Sequence, residues 1–156
     1  MLSAATATMS ASRTTPLAGT VLAFDFGERH IGVAVGETTL GVAHPLEHIE
    51  AQTSDRRFAA VAALVEQWRP VCAVVGLPLS MDGSPHELTR RAQRFARQLE
   101  GRFNLPVSMV DERLTSVEAR EQLREQGRGG RAHKHLDHSL AARIVLQNYF
   151  DERPAA

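Results

Sequence analysis

A chain of 156 residues, 43% apolar and 23% charged, has the length and balance of one ordinary globular domain, which excludes collagen-like, mucin-like and wholly disordered classes. No apolar run approaches the roughly 18 to 20 residues that a membrane helix needs. Cys72 is the single cysteine, so an internal disulfide and a thiolate zinc cluster are excluded, and a reducing cytoplasm is the expected compartment. Eighteen basic residues balance eighteen acidic ones, so attraction for a polyanion must come from how the charge is distributed.

That distribution is uneven. Four Arg face eight acids between Thr20 and Pro85, whereas ten Arg and one Lys face seven acids between His86 and Lys134, so the basic surface belongs to the second half. Lys134 is the only lysine. Cationic chemistry therefore falls to Arg, whose planar fork suits phosphate oxygens.

Residues 1–18 are mostly Ala, Ser and Thr and lack a continuous hydrophobic stretch, which predicts a disordered tail and argues against a secretory signal. The folded domain is expected over 19–152. Val21 to Gly27 is an apolar run containing one acid, Asp25, and reads as a buried strand. Gly27 to His30 supplies a turn, and Ile31 to Val35 reads as the hairpin partner. Leu40 to Ile49 adds a third strand, with Pro45 favouring a bend or a sheet edge. Phe58, Val61, Ala62, Val65 and Trp68 repeat at helical spacing until Pro70. Val71 to Leu77 follows as a Val-rich central strand.

Ser84-Pro85-His86-Glu87 has the form of a capping box with proline at the first helical position and predicts a helix to about Glu100. Leu88, Ala92, Phe95, Ala96 and Leu99 make its core stripe, and Arg90, Arg91, Arg94 and Arg97 fall on the other side as one guanidinium face. Pro106 to Asp111 is a fifth strand. Thr115-Ser116-Val117-Glu118 opens a helix that stops near Gly127, Arg128 to His135 is a basic loop, and a last helix runs from about Leu136 to Phe150. A strand meander followed by alternating helices and strands implies an α/β fold, a mixed five-stranded sheet flanked by helices.

The acids carry the chemistry. Asp25 shares a strand face with Val21 and Ala23, a face otherwise built for burial, and a buried carboxylate costs several kcal/mol unless it is protonated, paired or bound to a cation. The simpler reading is a strand-end Asp capping the turn at Gly27. Asp111 and Glu112 point to opposite faces, so at most one approaches Asp25, and the other can pair with Arg113. Asp137 heads the stripe Leu140, Ala141, Ile144 of the last helix, a position equally suited to a cap. Each acid has its own local explanation, whereas one shared cation explains the set. Oxygen donors without thiolates favour Mg²⁺ or Mn²⁺. His133 and His135 read as loop residues or phosphate contacts, with metal ligation as the alternative.

Ala23-Phe24-Asp25-Phe26-Gly27, Val75-Gly76-Leu77-Pro78-Leu79-Ser80-Met81-Asp82-Gly83, Asp111-Glu112-Arg113-Leu114-Thr115 and Leu136-Asp137-His138-Ser139-Leu140-Ala141-Ala142 occur in this order. Together they resemble the YqgF/RuvX family of RNase H-like nucleases, over Thr20 to Phe150. The resemblance implies an RNase H-like fold in which Asp25, the Asp111/Glu112 pair and Asp137 are catalytic and converge on divalent metal. It also implies a cytoplasmic role in maturing the 5′ end of pre-16S rRNA, with Holliday-junction resolution on branched DNA as the alternative. One departure stands out: Val74 to Pro78 offers no acid, so the second carboxylate must come from the neighbouring strand, and Asp111 and Glu112 both remain candidates.

The implied mechanism is metal-assisted phosphodiester hydrolysis, with Asp25 bridging two ions, Asp111 or Glu112 and Asp137 holding one each, and Arg113, Arg128, Arg131 and Lys134 holding phosphates. Gly76 to Gly83 would line the cleft. Readings from other classes are a nucleotide-binding module, because Asp25-Phe26-Gly27 and a hairpin also resemble the phosphate loop of actin-like ATPases, and a catalytically silent RNA-binding factor. The first needs a second domain, for which a chain this short has no room and which only a dimer would supply. Neutral net charge favours a ribosomal or other protein partner.

Overall fold

The apolar run after Gly19 forms β1 (Thr20–Phe26), the centre of a five-stranded sheet. The computed structural model describes residues 18–50, 52–112 and 134–153, the side chains of 134–137 excepted. The expected tail up to residue 17, the helix expected at 115–127 and the basic loop expected at 128–135 lie outside these ranges, except that Lys134 and His135 already belong to the last helix. β2 (His30–Glu37) and β3 (Val42–Glu50) continue from β1 as an antiparallel meander. α1 (Ser54–Trp68) then leads to β4 (Cys72–Leu77), which lies parallel to β1. α2 (Glu87–Phe103) leads to β5 (Val107–Asp111), parallel to β4, and α3 (Lys134–Glu152) closes the described chain. The spatial order is β3-β2-β1-β4-β5. Pro45 sits on β3, an edge strand, where the ladder tolerates a missing donor. Among the described residues no helix is long and apolar enough to cross a membrane.

Strand alternation divides the core into two layers. Leu22, Phe24, Phe26, Ile31, Val33 and Val75 pack with Phe58, Val61 and Leu64 of α1 and with Ala92, Phe95 and Leu99 of α2. Phe95 is the hub of this layer, its ring 5.7 Å from Phe24, 5.0 Å from Phe26 and 5.6 Å from Phe58. Val21, Ala23, Ala34 and Val74 take the opposite face, under Ala142, Val145 and Leu146 of α3.

Small residues on β2 allow α3 to lie close to the sheet. A Cβ at Gly32 would fall on the backbone carbonyl of His138, and one at Gly36 would lie 2.7 Å from the Phe150 ring. Gln147 holds the far side, accepting from Ala43 N at 3.0 Å and donating to Gly41 O at 2.9 Å.

Two helix boundaries differ from expectation. α2 begins at Glu87 and its cap is His86, not Ser84: the His86 ring accepts from Leu88 N at 3.2 Å and the Thr89 hydroxyl accepts from His86 N at 3.0 Å. Ser84 instead turns onto Asp82, to which its amide and hydroxyl both donate. The reason is tertiary, because buried Thr89 also donates to Pro78 O and thereby fixes the helix start against the chain leaving β4. The same helix runs through Gly101 to Phe103 and stops at Asn104, whose φ of 53° is the left-handed conformation that ends helices.

Candidate active site

The carboxyl ends of the parallel strands β1, β4 and β5 lie side by side, the place where open α/β sheets gather ligands. Asp25, next to last in β1, follows Val21 and Ala23 onto the α3 face. Its side chain is 14% exposed, and Oδ2 lies 3.7 Å from His138 Nδ1. Across the ladder Asp25 is paired with Gly32, the residue whose missing side chain lets the first turns of α3 descend onto β2. One glycine thus brings a helix to the acid.

Glu112 reaches the same place from β5. Val107 and Met109 pack toward α1 and α2 while Val110 packs toward α3, so alternation directs residue 112 to the α3 side. Its amide donates to Leu77 O at 3.1 Å, which extends the ladder one residue past the strand. The residue is buried, and a Cβ at Gly76 would fall on its Oε2 and lie 3.1 Å from Val145 Cγ2. Burial first, then the charge of Asp25, a hydrogen bond with Asp25 and the charge of Asp111 push the Glu112 carboxyl up to about 10. Asp111 itself is exposed at the end of β5. Of the two neighbouring acids, Glu112 is the one that meets Asp25. Such a pair is stable when it shares a proton or a cation.

Asp137 lies in the first turn of α3 as backbone, its side chain outside the described residues, and the same holds for Lys134. Arg113, Arg128 and Arg131 lie outside them altogether. The loop after β4 is closed by hydrogen bonds from Ser80 N to Ser84 O and from Gly83 N to Ser80 O, and it presents Met81, 82% exposed. The arginine face of α2 is partly engaged: Arg90 pairs with Glu87 at 3.5 Å and Arg91 with Glu28 at 3.2 Å, while Arg57 donates to the Glu28 carbonyl.

Sequence reasoning missed three histidines. His138 stacks on His30, with centroids 5.3 Å apart and planes at 19°, and its ring is 5.5 Å from that of His48. His30 and His48 come from β2 and β3, where His48 lies across from Gly32. The signal was the hairpin register: a glycine opposite one histidine and two residues from another leaves space in which both rings meet.

The sequence from residue 19 to 152 matches the family model described as RuvX, Holliday junction resolvase. A protein of Methylobacillus flagellatus named "Putative pre-16S rRNA nuclease" is 55% identical over 133 residues, which are 85% of this chain and 91% of that one. One of the same name from Nitrosomonas europaea is 50% identical over 143 residues, 92% of this chain and 97% of its own. In fold the chain resembles T. thermophilus RuvC in complex with Holliday junction substrate, at a TM-score of 0.53 and 18% identity, covering 86% of this chain and 95% of that one. A mixed sheet with α1 and α2 on one face and α3 on the other is thus the RNase H-like architecture, and the chain belongs to the RuvX family of nucleases.

Proposed function

We propose that this protein is a divalent-metal-dependent nuclease of the cytoplasm that hydrolyses phosphodiester bonds at the 5′ end of pre-16S rRNA. The observation that carries the reading is the meeting of Asp25 and Glu112 on the α3 face, where Glu112 is too buried and too close to other acids to hold its charge alone. A hard cation suits this donor set: two carboxyl groups, no thiolate, and a cradle at Gly76 where a Cβ would fall on the Glu112 carboxylate. Asp25 and Glu112 would hold Mg²⁺ or Mn²⁺, with Asp137 as the third ligand. When bound, the ion supplies Lewis-acid polarisation of the phosphodiester and a more acidic water.

The protein's own contribution is placement. The β1–β2 ladder fixes the Asp25 backbone, the Leu77 carbonyl fixes that of Glu112, and His138 Nδ1 stands 3.7 Å from Asp25 Oδ2. Asp25 remains partly exposed, so a phosphate can approach it, whereas Glu112 forms the floor. Arg113, Arg128, Arg131 and Lys134 supply the cations that hold the strand, which orients a substrate without reading its sequence.

A second substrate reading, cleavage of branched DNA, is favoured by the description of the matching family model. Purified protein incubated with precursor rRNA and with a four-way DNA junction, each with Mg²⁺ and with EDTA, separates the two. Cleavage of the RNA at its 5′ side, lost in EDTA and lost in Asp25→Asn while the fold persists, is the expected result. Unchanged cleavage by Asp25→Asn overturns the site, and cutting of the junction alone replaces the RNA reading with the DNA one.

A further inference from the structure

We propose that His30, His48 and Glu50 form a second cation site, of nitrogen-donor character and suited to Zn²⁺, on the β2–β3 hairpin beside the carboxyl pair. One ligand atom from each of the three lies within 4.8 Å of the others. His30 Nδ1 and His48 Nε2 are 2.9 Å apart, and Glu50 Oε2 is 4.0 Å from the first and 3.9 Å from the second. Around an ion with bonds of about 2.0 to 2.1 Å, tetrahedral ligands stand about 3.3 Å apart. The three separations straddle that value. The Glu50 side chain, 62% exposed, can close the remaining gap by turning about its own bonds.

The strands prepare the arrangement. His30 is paired with Glu50 across the ladder and His48 with Gly32, so all three side chains leave the sheet on the α3 side. Gly32 contributes no side chain between the rings. The His48 side chain is 13% exposed and the His30 side chain 35%, so one imidazole is sheltered while the other and the Glu50 carboxylate stand toward solvent, from which an ion can enter. His138 stacks on the His30 ring and lies beside that of His48, inclined to it by 45°, so one further imidazole packs against both. Two imidazoles and one carboxylate with a fourth position open to water are a donor set that prefers Zn²⁺ to Mg²⁺, the reverse of the preference at Asp25 and Glu112.

The site does not depend on the nuclease reading, because none of its ligands belongs to the carboxyl pair. The test is calorimetric titration of the tag-free full chain with Zn²⁺ in a non-chelating buffer, with visible absorption of Co²⁺ as a second readout. His133→Gln/His135→Gln serves as background, to remove two further imidazoles that precede His138 in the sequence. One Zn²⁺ per chain is expected in that background and in Asp25→Asn/Glu112→Gln. His30→Gln and Glu50→Gln should each weaken binding at least about tenfold, and His48→Gln should abolish it. His30 and Glu50 lie at the end of the hairpin, so their variants keep the test decisive even where His48→Gln unfolds the protein. Absence of Zn²⁺ binding in the wild type would show that the short His30–His48 contact is only an N–H···N hydrogen bond and overturns the proposal. So does affinity unchanged by His30→Gln and Glu50→Gln, or affinity lost in Asp25→Asn/Glu112→Gln alone.

Discussion

Gly76 and Glu112 compete for one volume: the space that a side chain on the glycine would need is held by Oε2 of the glutamate. Val145 closes the other side, at 3.1 Å from the same point. Gly76→Ala should therefore displace the Glu112 carboxyl, because the long glutamate side chain can swing away whereas β-branched Val145 is stiff about χ1. Overpacking of this kind costs about 1 to 3 kcal/mol. Cleavage should fall far more than stability, by at least about tenfold, since a small shift of a positioned group suffices for a large loss of rate. Parallel urea denaturation and RNA cleavage assays check both quantities, and a folded Gly76→Ala protein with full activity would remove Glu112 from the site.

Glu112 also sets a pH dependence whose sign is fixed. Its carboxyl titrates near 4.5 when unfolded and is pushed up to about 10 in the fold, mainly by burial and then by Asp25. Below pH 4.5 both states are protonated and the fold loses nothing. Between the two values the folded state holds a proton that the unfolded state has released, so stability of the metal-free protein falls as pH rises, by at most about 1.4 kcal/mol per pH unit. Glu112→Gln removes this slope. Thermal unfolding in EDTA from pH 5 to 9 should show the wild type losing ground to the variant, and parallel curves would contradict the burial argument.

How much of this was legible in the sequence depends on which residues had to be known together. Asp25 was readable because strand period two and the apolar neighbours Val21 and Ala23 define its face locally. Asp111 and Glu112 were not separable, because β5 carries apolar residues on both faces, Val107 and Met109 on one and Val110 on the other. Only the position of α3 tells which face leads to Asp25. The start of α2 was misread for a similar reason, since Ser84 and His86 both head plausible caps and the Thr89 to Pro78 bond, eleven residues apart, selects between them. The histidine group required the β2–β3 register, which no single segment contains.

Gly32 offers a test in which propensity and packing predict opposite signs. Within a strand, replacing Gly by Ala ordinarily stabilises by about 0.5 to 1 kcal/mol. Here the new methyl would strike the His138 carbonyl and the Ser139 amide, backbone atoms that cannot move without lifting α3. Gly32→Ala should thus lower stability by about 1 to 3 kcal/mol and should separate His138 from Asp25, with loss of cleavage. A melting temperature at or above that of the wild type would mean that α3 does not approach β2 as closely as described.

Thr89 joins two elements through one hydroxyl, accepting from His86 N at 3.0 Å and donating to the Pro78 carbonyl. It is fully buried and Pro78 is buried too, so the Pro78 carbonyl cannot turn to water when the hydroxyl is removed, while the amide of half-buried His86 loses its acceptor. Thr89→Val keeps the shape and deletes both bonds. The expected cost is about 1 to 3 kcal/mol for the orphaned amide and carbonyl, accompanied by faster hydrogen exchange at His86 and along the loop from Leu79 to Pro85. Because that loop follows β4 directly, its loosening should also reduce cleavage without changing the affinity for metal at Asp25 and Glu112. Stability within about 0.5 kcal/mol of the wild type, the range of an ordinary surface substitution, would show that the hydroxyl bridge does not hold the loop.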